Sequence, residues 1–147
     1  MNYETLQFEI RDRVACITLN RPDAANSLNL KMTNELMQAA IRCDRDPGVR
    51  AVMITAMGKM FCAGGDLKAF AEAGDQVPVL AKQMTVSLHA SISCFSRMKA
   101  PMVCAVNGTV AGGGLSMIMV SDLVLAAESS KFTVAYTRAG LVPDGSS

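Results

Sequence analysis

The sequence predicts an α/β fold, and three observations carry that prediction. Short apolar runs rich in β-branched residues recur along the chain. Segments of helical periodicity lie between them, and no Ser/Gly linker or low-complexity block divides the 147 residues. Strands separated by helices imply largely parallel pairing. A chain of this length that is half apolar suits one domain, residues 1–147, with a core of its own.

Taken in order, Val14–Leu19 (VACITL) reads as the first strand. Asn29 can cap a helix that runs to about Cys43, with Met32, Leu36, Ala40 and Cys43 on one face. Asp46-Pro47-Gly48 turns the chain into a second strand, Ala51–Ala56 (AVMITA). A longer helix is expected from near Pro78, a good first helical residue, with the stripe Leu80, Met84, Leu88, Ile92 and Phe95 and an exit at Pro101. Met102–Asn107 is the next strand, Leu115–Val120 an apolar helix, and Leu123–Ala126 and Phe132–Val134 are two further strands. The last residues, from Gly140 on, form a loop with no terminal element after it.

Composition narrows the function. Fourteen Lys+Arg against 13 Asp+Glu leave no basic excess for nucleic acid, and five Phe, two Tyr and no Trp offer no base-stacking platform. The five Cys (16, 43, 62, 94 and 104) are odd in number and contain no CxxC pair. Neither a disulfide framework nor a zinc site is expected, and a reducing, cytoplasmic setting fits. A single His has no second to join it at a metal, so His89 reads as a surface or core-edge residue. The start of the chain carries Glu4 and Glu9 and no basic or apolar stretch, unlike a secretion signal. The charge-free run between Lys99 and Asp122 holds Pro101, Asn107 and four glycines, which would leave backbone groups unpaired in lipid. It reads as strand, turn and buried helix, so no membrane is expected. The 11 Met fall mostly in apolar stretches, as adaptable packing.

Three loops are candidates for a site. Phe61-Cys62-Ala63-Gly64-Gly65-Asp66-Leu67 and Asn107-Gly108-Thr109-Val110-Ala111-Gly112-Gly113-Gly114 each place glycines where a helix is expected to begin. There the backbone can approach a ligand and free amides can face an oxygen anion. One amide from each would make an oxyanion hole, while each alone is equally read as a tight turn. The third loop carries Asp144 between Pro143 and Gly145, either as turn chemistry or as a general base held by the proline. Asp66 is read first as a helix cap, and Lys59 and Lys68 either meet phosphate or are solvated. No Gly-x-Gly-x-x-Gly or Gly-Lys-Ser/Thr pattern supports a nucleotide fold.

Together these segments resemble the crotonase (enoyl-CoA hydratase/isomerase) superfamily. The matching stretches, in family order, are Ile17–Pro22, Ala25–Asn29, Phe61–Leu67, Lys99-Ala100-Pro101, Ala105–Gly108 and Ala111–Gly114. The resemblance implies a spiral of β-β-α units, with the family's C-terminal trimerisation helices missing from these 147 residues as from a truncated core, and oligomers such as trimers or hexamers. It implies an acyl-CoA thioester as substrate, with coenzyme A part of that substrate and no separate cofactor or metal. It assigns the oxyanion amides to Gly65 and Gly113. It puts Ala24, Asn26 and Leu28 near the adenine end of coenzyme A, and Ala63, Gly64, Asp66, Leu67 and Lys68 in the substrate-binding loop.

Hydratases of the family carry glutamates at the positions held here by Ser116 and Tyr136. Water addition needs one group to activate water and another to deliver a proton, so hydratase activity is not expected. Ala139–Gly145 resembles the branch with enoyl-CoA isomerase members, which use an acid side chain in this loop, and Asp144 is then the catalytic carboxylate. Tyr136 either orients Asp144 or walls the pocket. A Δ3–Δ2 enoyl-CoA isomerase is the leading expectation. The alternatives are a non-catalytic acyl-CoA-binding or assembly protein, or another activity of the family such as a hydratase or a dehalogenase, in which the Asp is a nucleophile.

Overall fold

After an N-terminal hairpin, each turn of the chain adds one strand to each of two sheets. The structure, a computed structural model, describes residues 2–140, 142–143 and 145. Strands β1 (Leu6–Arg11) and β2 (Val14–Leu19) pair antiparallel through a tight turn in which Asp12 and Arg13 both take positive φ. Helix α1 (Leu30–Arg45) crosses back to β3 (Ala51–Ala56), and β4 (Met60–Cys62) follows almost at once. Helices α2 (Leu67–Ala73) and α3 (Val77–Arg97) lead to β5 (Met102–Val106) and β6 (Thr109–Ala111). Helix α4 (Gly113–Met119) then leads to β7 (Leu123–Ala126) and β8 (Phe132–Thr133). The large sheet has the order β1-β2-β3-β5-β7 and the small one β4-β6-β8, parallel throughout except for β1. This is the expected β-β-α spiral.

The elements follow from local chemistry. The side chain of Asn29 accepts the Met32 N–H at 2.9 Å and starts α1, whose buried face is Met32, Leu36, Ala39, Ala40 and Cys43. β2 and β3 alternate between fully buried and half-exposed residues, and Ala15, Ile17, Leu19, Val52 and Ile54 form the centre of the core. α1 and α3 pack together over this sheet, with Leu88, Ile92 and Phe95 of α3 facing inward. Glu35, on α1, accepts the N–H groups of Glu4 and Thr5 at 2.9 and 2.8 Å and the Thr5 hydroxyl at 2.5 Å, pinning the chain start to the helix. Burial raises its pKa, but these donors outweigh that effect and hold the carboxyl below its ordinary value.

The expected strands at 14–19, 51–56 and 123–126 have the observed limits, and the others shift by a residue. Three strands were not foreseen: β1, β4 and β6. The Phe61–Leu67 loop thus begins inside β4 rather than after the strand at 51–56. Asp144 lies outside the described residues.

Candidate active site

The site is assembled from three backbone segments that the chain order keeps apart. The first runs from Arg21 to Leu28, through a 3₁₀ turn at Pro22–Ala24 and left-handed residues Ala25 and Asn26. Asn26 is fully buried. Its carbonyl oxygen accepts the Arg21 N–H and its amide nitrogen donates to the carbonyls of Met57 and Met60, all at 2.8 Å. The side chain expected near coenzyme A is thus engaged within the protein, where it bolts the turn to β3 and β4. Ala24 and Ala25 are left to present backbone.

The second segment zips onto the first. Ala63 N–H donates to Ala25 O at 3.1 Å, Leu28 N–H to Gly64 O at 2.7 Å, and Asp66 N–H to Leu28 O at 2.9 Å. In this parallel bridge the Gly65 N–H is skipped. Asp66 caps α2 by accepting the Ala69 N–H at 3.2 Å, and it accepts the Arg21 guanidinium at 2.9 Å. Burial would raise its affinity for a proton, yet the Ala69 N–H and Arg21 outweigh that, and the group sits below its ordinary value. A carboxylate so engaged is a bracket between Arg21 and α2.

Two glycines let the third segment approach. Gly64 has φ +90, and a Cβ there would meet the Ala111 carbonyl at 3.0 Å, so only a glycine allows the two loops to lie back to back. At Gly114 a Cβ would sit 2.8 Å from Cys62 Cβ, so the bare backbone seats α4 on β4. Burial drives the Cys62 thiol up to about 12, and its sulfur accepts the Gly64 N–H at 3.5 Å. It is a packed hydrophobe, not a nucleophile.

The result is a cleft of about 500 Å³ lined by both glycine loops, the inner face of α3, Leu28 and Tyr136. Gly65 and Gly113 both line it, and among the described residues neither N–H donates to a backbone acceptor. None of the described lining residues is charged. Tyr136 is 8% exposed, and its hydroxyl lies 3.9 Å from the point where a Gly113 Cβ would be. A Cβ on Gly145, the residue after Asp144, would press on Ser116 and Ile92.

Of the residues singled out in the sequence, the cleft gathers Leu28, Ala63, Gly64, Gly65, Leu67, Gly113 and Tyr136. Ala24, Asn26, Asp66 and Lys68 are not among its described lining, and Lys68 stands out in solvent with Glu72 3.9 Å away. The α3 wall was missed as a wall. Met84 and Leu88 were visible as a helical stripe, which sequence alone reads as core. Among the described residues no cluster of three or more His, Cys, Asp or Glu is placed to hold a metal, and no helix is long and apolar enough to cross a membrane.

Residues 9–147 match the family model described as enoyl-CoA hydratase/isomerase. The chain belongs to this family. Among the family's relatives, "Probable enoyl-CoA hydratase" of Rhodobacter capsulatus is 39% identical over 145 residues, covering 98% of this chain and 54% of its own. The 1,2-epoxyphenylacetyl-CoA isomerase of Escherichia coli is 32% identical over 142 residues, covering 96% and 54%. The crystal structure of an enoyl-CoA hydratase from Mycobacterium avium subsp. paratuberculosis superposes with a TM-score of 0.87 at 28% identity, covering 99% of this chain and 56% of that one. The chain thus spans about half the length of the curated relatives it matches.

Proposed function

We propose that this crotonase-family chain carries the acyl-CoA site of an enoyl-CoA isomerase that shifts a double bond from carbon 3 to carbon 2. The observation that carries the reading is the pair of N–H groups, Gly65 and Gly113, on two loops that share one uncharged cleft. Held by backbone rather than by mobile side chains, they suit an oxygen that gains charge during reaction. The thioester carbonyl takes that place.

Asp144 is the base in this proposal. It takes a proton from C2, and the C2–H electron pair moves into a dienolate whose charge rests on the thioester oxygen between Gly65 and Gly113. The oxygen then returns its pair. C2=C3 forms as the old C3=C4 π electrons take the same proton at C4, and Asp144 is again ionised. One carboxylate suffices because the proton is returned, not exchanged for water. The hydratase reading is weakened by Ser116 and Tyr136, which are poorly matched to activating water near neutral pH. A Cβ on Gly145 would meet Ser116, which holds the position where hydratases carry a carboxylate. Isomerase names stand beside hydratase names among the relatives.

The test is a spectroscopic assay with a 3-enoyl-CoA, following the conjugated 2-enoyl thioester. Asp144→Asn runs beside the parent, and crotonyl-CoA hydration serves as the control. Conversion by the parent and its loss in Asp144→Asn support the proposal. Binding without conversion overturns it in favour of an acyl-CoA-binding role.

A further inference from the structure

We infer that the cleft selects an uncharged, apolar acyl group of medium length, laid along α3, with Ala81 setting the depth available to it. This rests on the acyl-CoA reading above and adds the substrate class that the reading leaves open. Val77, Ala81, Met84, Thr85 and Leu88 line the cleft at helical spacing, so they form one continuous wall. The wall has a direction. Its Leu88 end lies at the glycine loops, since a Cβ on Gly113 would be 3.5 Å from Leu88 Cδ2. From Leu88 back to Val77 the helix runs about 16 Å, several times the reach of a four-carbon acyl group.

The chemistry of the wall is one-sided. Phe70, which a Gly65 Cβ would touch at 3.3 Å, faces α3 across the cleft and adds an aromatic surface. The described lining offers apolar side chains, two threonines and the Tyr136 hydroxyl at the glycine-loop end, and no charge of either sign. Thr85 directs its hydroxyl to the Lys82 carbonyl at 3.0 Å, leaving its methyl for the wall. A carboxylate on the far end of an acyl chain would be partly desolvated there, with no cation among the described lining residues to meet it. Between Val77 and Met84 the wall is lowered by a methyl side chain, that of Ala81, so this point admits the distal carbons.

Binding of saturated acyl-CoA thioesters to the full chain by titration calorimetry tests this without depending on turnover. Decanoyl-CoA is expected to bind at least about tenfold tighter than butyryl-CoA, and about a hundredfold tighter than decanedioyl-CoA, which ends in a carboxylate. Ala81→Phe should weaken decanoyl-CoA about tenfold or more and leave butyryl-CoA within about twofold. Thr85→Lys, a second and half-exposed change, should narrow or reverse the preference for the neutral chain over the diacid. Equal affinity for decanoyl-CoA and decanedioyl-CoA, or an Ala81→Phe loss shared by both chain lengths, overturns the inference and leaves the acyl-CoA reading standing. Absence of binding by every thioester overturns both.

Discussion

Replacing Asn26 by alanine is expected to destabilise the chain far more than its loop position suggests. The side chain makes three hydrogen bonds, to Arg21 N–H and the carbonyls of Met57 and Met60, from a fully buried position. A sealed backbone group that loses its partner costs about 1–3 kcal/mol. Met57 is partly open to water, so its carbonyl is counted at the low end or below. Asn26 also sits at φ 51, where alanine is disfavoured by about 1–2 kcal/mol. These contributions span about 3–9 kcal/mol, and as water can reach the half-buried Arg21 and the exposed Met57 the expected loss is at the lower end, about 3–5 kcal/mol, a large part of the ~5–15 kcal/mol available to a domain. Asn26→Gly removes the same hydrogen bonds and relieves the backbone, so it should be about 1 kcal/mol less harmful. Asn26→Asp keeps the acceptor but turns a carboxylate toward two carbonyl oxygens, and should be at least as harmful as alanine. Guanidinium unfolding followed by far-UV circular dichroism measures all three. An Asn26→Ala variant within about 1 kcal/mol of the parent, or a glycine variant no better than alanine, would show that the clip is not what holds the turn.

Other outcomes follow from neighbouring geometry. Gly113→Ala places a methyl 3.0 Å from Leu28 Cδ1 and inside the cleft, without a positive φ to strain it. The N–H remains, but the methyl pushes the thioester oxygen away from it and should cost about 10²-fold in isomerase turnover, while thermal unfolding shifts little because Leu28 can yield. Gly114→Ala meets Cys62 and Val110 in the packed seam between α4 and β4, and should instead lower the unfolding midpoint. Glu35 and Asp66 are held below their ordinary values in the folded chain, so the unfolded chain binds protons more readily in acid. Their contribution is complete above the unfolded carboxylate values near pH 4 and is lost as pH falls through the lower folded ones. Denaturation at a series of acid pH values should show that slope, and Glu35→Gln or Asp66→Asn should flatten it. Thiol labelling near pH 8 should spare Cys43 and Cys62, both buried and pushed up to about 12, while modifying the half-buried Cys16 and Cys94 first.

The parts of the fold that were legible in the sequence are those whose own residues carry the signal. Val14–Leu19 and Ala51–Ala56 are strong apolar runs in the centre of the sheet, and Asn29 announces α1. β1 was hidden because it is an edge strand, with Glu9 and Arg11 in solvent and little alternation to read. β4 and β6 are three residues each, shorter than one period test can resolve. The glycine loops were visible as loops. Their meeting was not, since it depends on Gly64 lying against Ala111 and on the bridge between Leu28 and Gly65, pairings that no local pattern encodes. Asn26 shows the reverse case: its type and place were legible, but its partners at Met57 and Met60 are set only by the folded chain.

The strand order of the large sheet has a kinetic consequence. β1, β2, β3, β5 and β7 stand side by side in the order in which they are synthesised. No later strand is inserted between two earlier ones, so each pairing, once made, can persist while the rest of the chain emerges. Parallel pairing through long crossovers is slow, and this ordering spares it the further delay of undoing earlier partners. Pulse-labelling of amide protons during refolding would register β2 and β3 as protected before β7. The growing edge is also marked at its start: Asp122 both accepts the Met102 N–H at 2.7 Å and donates its own N–H to Met102 O at 2.9 Å. That clasp fixes the register of β7 before Leu123 is laid down, much as the first tooth aligns a zip.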